Sequence, residues 1–200
     1  MLVPDAAALA ETDDVLRHAE KSGDAVALAL AQVARGLVLT RTAPADHSAG
    51  VELITDGRAA LLLQRNLLGV SMVDIDRTVM EADTGHLDHA VEIGRATVDD
   101  LIASGEMVLR GAAISALVTA LLKRSAAADI GEAETLIERL SSTPTESGFV
   151  MTDIWVARLR ALLAQAHGDV RAYRDHRDRY RTMAATYGFE GHMAWAKAMP

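Results

Sequence analysis

The chain has 200 residues and a mass of 21.3 kDa, half of its residues are apolar, and its 28 acidic against 20 basic residues give a net charge of −8. It contains no cysteine, which excludes disulfides, thiolate zinc sites and cysteine nucleophiles. The negative balance disfavours bulk nucleic acid or an anionic membrane as the main partner. Few aromatic residues and four prolines, beside abundant alanine and leucine, predict a helical protein.

The length fits one domain over residues 1–200, because domains of this size bury a sufficient core. The N-terminal stretch Met1–Asp14 has no basic segment typical of a targeting signal. The longest uncharged run, Gly111–Leu122, is shorter than the about 20 residues that cross a bilayer. These features predict a soluble, cytoplasmic protein without a membrane partner.

Apolar residues recur at three- and four-residue steps along most of the chain. In the stretch 86–104, for example, Leu87, Val91, Val98 and Leu101 share one helical face. No sustained alternation of period two predicts a strand, and the short connections predict antiparallel neighbours. The predicted helices are 6–21, 24–41, 47–64, 68–83, 86–104, 107–125, 131–140, 150–166, 169–187 and 190–198.

A turn signature joins several of these helices. A helical pattern ends at a glycine, which can adopt the left-handed conformation that closes a helix, and a new pattern starts within two residues. Asp24 and Asp169 are candidate caps of the following helices. The spacings of 62, 46 and 37 residues are irregular beside the ~34 of a strict tetratricopeptide array. The glycines concerned are Gly23, Gly85, Gly131 and Gly168.

This pattern predicts an all-α fold, an antiparallel array of helix hairpins that forms an irregular, tetratricopeptide-like right-handed superhelix. An ordinary helical bundle with glycine stops is the alternative.

Motifs for catalysis are missing from the sequence. The P-loop, the dinucleotide-binding glycine motif, the nucleophile elbow and the H-E-x-x-H zinc motif do not occur. His86 and His89 have the spacing to share a metal, but a solvated pair is the preferred interpretation. An acidic calcium loop starting at Asp74 fails, because Val79 stands where glycine is required. We therefore predict no catalytic residue, no cofactor and no metal.

The last quarter of the chain concentrates arginine and aromatic residues. Arginines between 158 and 181 alternate with aspartates, which favours a salt-bridged exposed face over a phosphate or nucleic-acid footprint. The aromatic residues predict either a dense core that caps the array or a ligand groove. The residues predicted to form this pocket or partner surface are Trp155, Tyr173, Tyr180 and Trp195.

The same region carries a resemblance to a known family. The segments 158–164, 168–169, 173–180 and 188–200 resemble the C-terminal end of actinobacterial, especially mycobacterial, class III adenylate/guanylate cyclases fused to an AAA/STAND-type ATPase, and of related LuxR-type regulators. The resemblance is strongest over residues 151–200 and extends upstream through 22–29 and 94–101. It implies a tetratricopeptide-like region at the end of a long chain. The cyclase, ATPase and helix-turn-helix domains lie outside this sequence, so no catalytic residue is carried over.

The expected function is a non-catalytic interaction or regulatory module, the sensing or scaffolding arm of a signalling regulator. Its expected partner is another protein or the upstream domains of the same polypeptide, and a homo-oligomer is compatible with both. The alternative is a small-molecule sensor with an aromatic pocket near the C-terminus. An enzyme is the least favoured interpretation.

Overall fold

The computed structural model describes residues 6–42, 44–144 and 150–200. This part of the chain is all-α: ten helices follow one another in an array, with no strand among the described residues, which confirms the predicted fold class. A short 3-10 turn, Pro44–Asp46, precedes the third helix. The helices are α1 (Ala6–Ser22), α2 (Ala25–Thr42), α3 (His47–Leu63), α4 (Leu67–Thr84), α5 (Leu87–Ala103), α6 (Arg110–Arg124), α7 (Asp129–Ser141), α8 (Val150–Ala166), α9 (Val170–Thr186) and α10 (Glu190–Ala198).

Contacts along the chain divide it into two compact units, with the boundary between Asp76 and Arg77 inside α4. We call them the N-terminal unit, which contains α1 to α3 and the first part of α4, and the C-terminal unit, which contains the rest. The single domain predicted over residues 1–200 stays a prediction.

In the N-terminal unit, α2 and α3 pack antiparallel at very short range. Gly36 faces Gly50 and Ile54, while Gly57 faces Val33 in the middle of α2. A Cβ atom on Gly36 would lie only 2.5 Å from the carbonyl oxygen of Gly50. The absence of side chains at these glycines is therefore what lets the two backbones approach.

Ion pairs connect the helices of this unit. Arg58 of α3 donates two hydrogen bonds of 2.7 Å to the largely buried carboxylate of Asp74 in α4. Arg35 of α2 pairs with Asp13 of α1 at 2.5 Å. The bidentate arrangement at Asp74 fixes the direction in which α4 leaves the α3–α4 turn, because both guanidinium bonds must form together.

In the C-terminal unit, consecutive helices form hairpins and α6 also packs against α8. In the antiparallel pair α5 and α6, Gly94 packs against Leu117. The parallel pair α6 and α8 is joined where Gly111 contacts Trp155 and where Arg158 donates to Ser115 Oγ at 2.6 Å. Alternating direction with parallel second neighbours is the arrangement of a stacked hairpin array.

A buried ion pair closes the turn between α6 and α7. The guanidinium of Arg124 contacts both carboxylate oxygens of Asp129, at 2.6 and 3.0 Å, and the Asp129 side chain is 1% exposed. This carboxylate also accepts the Ala126 N–H at 2.8 Å. The bonds from Arg124 hold the pKa of Asp129 below its usual value. On the other side of the same guanidinium, the exposed Asp88 lies 3.1 Å away.

The predicted turn signature is confirmed at three of its four positions. Gly23, Gly85 and Gly168 have φ angles of 69°, 89° and 72°, the left-handed region in which a Cβ is disfavoured. The predicted caps are also present, since Asp24 Oδ1 accepts the Val26 and Ala27 N–H groups and Asp169 Oδ1 accepts that of Ala172.

The fourth predicted turn is wrong, because Gly131 lies inside α7. The chain turns earlier, where Ser125 adopts a φ of 55° and its N–H bonds to the Leu121 carbonyl at 2.9 Å. Gly105 and Gly188, which the sequence did not single out, close α5 and α9 with φ angles of 74° and 66°.

Candidate interaction sites

Three of the four residues predicted to form a pocket or partner surface come together around His192. The Trp155 and Trp195 ring centroids are 5.7 Å apart, and each lies within 5.5 Å of the His192 ring. Tyr180 is a further neighbour of this imidazole, with its ring centroid at 5.7 Å. The predicted residues thus meet through a histidine that the sequence did not connect to them.

Burial sets the protonation of this cluster. Tyr180 is fully buried and its Oη atom lies 2.9 Å from Nδ1 of the buried His192. Desolvation and, to a smaller extent, the nearby Arg158 together lower the pKa of His192 to about 4. Desolvation also raises the pKa of Tyr180 to about 12. At neutral pH the two side chains are therefore an uncharged hydrogen-bonded pair inside the core.

Arg158 borders this core as a cation without a carboxylate partner among the described residues. Its guanidinium carbon lies 4.8 Å from the centroid of the Trp195 ring, and one nitrogen donates to Ser115. Burial lowers the pKa of Arg158. Stacking on indole and one hydroxyl bond compensate part of the cost of burying the charge.

Tyr173, the fourth predicted residue, lies on the same helix as Tyr180 and binds the end of the chain. Its hydroxyl donates to the backbone oxygen of Pro200 at 2.6 Å, and Arg177 donates to the same atom at 2.8 Å. Arg181 donates to the carbonyl of Met199 at 2.8 Å. Two of the late arginines therefore hold the C-terminal segment against α9, and Arg177 also pairs with Asp178.

The histidine pair considered for metal binding has separate partners. His86 Nδ1 lies 2.9 Å from a carboxylate oxygen of Glu81, and His89 lies 3.5 Å from Glu92. Within the described ranges, no three histidine or carboxylate side chains are grouped so that they could hold a metal ion.

A second feature was not predicted: large apolar side chains stand in solvent at the turn between α3 and α4. We call this group the corner patch. The sequence around it, residues 59–73, contains a single charged residue, Arg65. Single exposed leucines are common on protein surfaces, but a cluster of them marks a contact site. The corner patch consists of Leu62 (50% exposed), Leu63 (83%), Leu67 (65%), Leu68 (51%) and Met72 (48%).

The backbone of this corner is tightly defined. Arg65 has a φ of 54°, and the N–H groups of Arg65 and Asn66 bond to the carbonyls of Leu62 and Leu61 at 3.0 and 2.9 Å. The Asn66 side chain then accepts the Gly69 N–H at 2.9 Å at the start of α4. These bonds form a Schellman-type helix end with arginine at the position where glycine is usual. The exposed leucines are thus held on a fixed turn.

A signal for the corner patch exists in the sequence. Leu61, Leu62 and Leu63 are consecutive, and consecutive helical residues are about 100° apart, so all three cannot face one core. Leu61 is fully buried, while the next two are exposed. A continuous apolar run at a helix end is therefore the pattern that indicates such a surface.

One apolar groove lies elsewhere in the N-terminal unit. It has a volume of about 780 Å³ and runs between α1 and α2, with Val15, Ala19 and Ala27 on its walls and Glu11 and Asp14 on its rim. Its carboxylates distinguish it from the uncharged corner patch.

Among the described residues one helix, α2, is long and apolar enough to cross a membrane by length and composition alone. Its sequence contains no long uncharged run, because Arg35 interrupts the helix. Arg35 and Arg41 both form ion pairs, with Asp13 and Asp76, and the helix packs closely on α3. These contacts are those of a core helix.

Comparison with known proteins finds no matching family model, no matching curated protein and no matching solved structure.

Proposed function

We propose that the protein is a non-catalytic interaction module that contacts a protein partner through the corner patch. The observation that carries this proposal is the exposure of five large apolar side chains on a fixed helical turn. A cluster of exposed apolar side chains lowers the solubility of a protein unless a partner covers it. A surface of this kind recognises an apolar surface of a partner. The contact removes apolar area of both surfaces from water, and the corner patch has almost no charge to pair with a charged surface.

The proposal includes the regulatory role expected from the resemblance, as the sensing or scaffolding arm of a signalling regulator in the cytoplasm, with a tetratricopeptide-like superhelix as its frame. Stacked helix pairs suit this role because each pair buries one stripe and leaves extended surface for contacts. A bound partner would shift the equilibrium between two conformations of such a regulator only to the extent that it binds one conformation more tightly than the other.

Site-specific photo-crosslinking in the producing cell tests the proposal. A photoreactive amino acid replaces Leu63 in one variant and Val108 in a control variant, because these residues are 83% and 77% exposed. We expect discrete adducts from position 63, lost when Leu67→Lys is added, and none from position 108. Equal labelling at both positions, or none at position 63, would contradict the proposal.

The second candidate function, sensing of a small molecule at the aromatic cluster, is favoured by one observation. Arg158 lies beside the half-buried rings of Trp155 and Trp195 without a carboxylate from the described residues. Such a site would take a small aromatic carboxylate, which pairs with the guanidinium and stacks on indole. Thermal-shift titration with benzoate and indole-3-acetate tests this: a rise in Tm that Arg158→Gln abolishes supports it, and no rise refutes it.

A further inference from the structure

We infer that the corner patch is a self-association surface, occupied by the corner patch of a second copy of this chain. The inference rests on the proposed function and names the partner of the same site. Two copies related by a two-fold axis bring the same residues together, so the surface must be complementary to itself. An apolar surface with almost no charge meets that condition.

The area available is close to what a dimer contact needs. The exposed fractions of the five side chains sum to about three fully exposed residues, which is on the order of 500 Å². One side of a standard interface buries roughly 800 Å², of which the centre is the apolar part and the rim is polar. The corner patch thus supplies the central part of one side without any rearrangement of the helices.

The low charge of the corner patch favours this surface for contact between identical chains. Two copies that each carry a net charge of −8 repel one another over most of their surfaces. Residues 59–73 contain no acid, and the nearest carboxylate after them, Asp74, is paired with Arg58. Arg65, the one cation, is exposed and has a long flexible side chain that can extend to the rim.

The charge on the two chains determines how self-association depends on ionic strength. Added salt screens the repulsion between two acidic chains while it leaves apolar burial intact. Self-association through the corner patch should therefore strengthen as ionic strength rises. A contact made by opposite charges would weaken instead.

Sedimentation velocity of the full chain, from nanomolar to high micromolar concentration, tests the inference. We expect a reversible monomer–dimer equilibrium, with Leu63→Lys weakening the dimer at least about tenfold, the change that one lost side-chain contact of ~1.4 kcal/mol gives. Val108→Lys is the matched control, because it makes the same charge change at a side chain of similar exposure and should leave the dimer unchanged. Both substitutions lower the net negative charge, so general repulsion cannot explain a loss.

Three results would overturn the inference: a monomer at every concentration and salt, equal effects of the two substitutions, or weakening by added salt. Circular dichroism checks that Leu63→Lys is folded, and Leu67→Lys gives the same test at a second position. The crosslinking experiment separates the two levels of the argument. Adducts of twice the chain mass from position 63 support the second copy, whereas adducts with a different protein from a monomeric chain overturn it and leave the proposed function standing.

Discussion

Replacing Gly36 by alanine should destabilise the N-terminal unit, although alanine is the better helix former. The new Cβ atom would lie 2.5 Å from the Gly50 carbonyl oxygen and 2.8 Å from Cγ1 of the buried Ile54. Both neighbours are fixed by the α2–α3 contact, so the helices must separate. Overpacking of this kind costs about 1–3 kcal/mol, and the gain in helix propensity of about 1 kcal/mol offsets part of it.

We therefore expect Gly36→Ala to lower the free energy of unfolding by up to about 2 kcal/mol. Gly131→Ala is the matched control: this glycine also lies in a helix, but no atom stands within 4 Å of the added Cβ. The control should gain about 1 kcal/mol.

Urea unfolding followed by far-UV circular dichroism measures both changes. The opposite signs are the test, because a general effect of glycine replacement would move both variants in the same direction. Stabilisation by Gly36→Ala would refute the close approach of α2 and α3 from which the cost was derived.

Three further predictions concern single side chains, each measured by urea unfolding. Asp129→Asn should cost about 2–4 kcal/mol because it breaks the buried pair with Arg124, whereas Asp88→Asn, on the exposed side of the same guanidinium, should cost at most about 0.5 kcal/mol. Arg65→Gly should stabilise the chain by about 1 kcal/mol by removing a left-handed non-glycine residue. His192 has its pKa lowered from 6.5 to about 4. The unfolded chain therefore binds a proton that the fold rejects between these values. The free energy of unfolding is therefore not reduced by His192 above pH 6.5, and it falls by roughly 3 kcal/mol as the pH is lowered towards 4.

Each of these predictions has a contradicting result. Equal losses at Asp129 and Asp88 would mean that burial does not decide the value of the ion pair. A neutral or harmful Arg65→Gly would show that the arginine side chain contributes more than its backbone strain. For the pH effect, the variant His192→Gln should flatten the decline in stability between pH 6.5 and 4, and an unchanged decline would place its cause in other groups.

Local patterns in the sequence predicted the helices well and the contacts between them poorly. The helix bounds follow from apolar spacing and from Asp24 and Asp169 as caps, all of which act within a few residues. The turn predicted at Gly131 was wrong because a residue other than glycine can adopt the left-handed conformation that ends a helix. Ser125 adopts that conformation before α7 begins.

In the candidate sites as well, features set by neighbouring residues in the sequence were predicted, and contacts between distant residues were not. The aromatic residues near the C-terminus were recognised from composition, yet His192, which joins three of them, looked isolated along the chain. Its role depends on the packing of α8, α9 and α10, which no local pattern specifies. The corner patch was not predicted because the leucine run was assigned only to the helix 47–64, and a helix assignment does not show that Leu61 alone of the three consecutive leucines is buried.

The most direct test of the corner patch as a contact surface compares the oxidation of two methionines. Met72 lies in the patch and Met193 lies outside it, and their exposed fractions are 48% and 44%. Exposure governs the rate at which methionine is converted to its sulfoxide, so mass spectrometry should find similar rates in the dilute purified chain. In the producing cell, and at concentrations where the chain associates, we expect Met72 to become several-fold slower than Met193. Equal rates of the two methionines under all of these conditions would contradict the account.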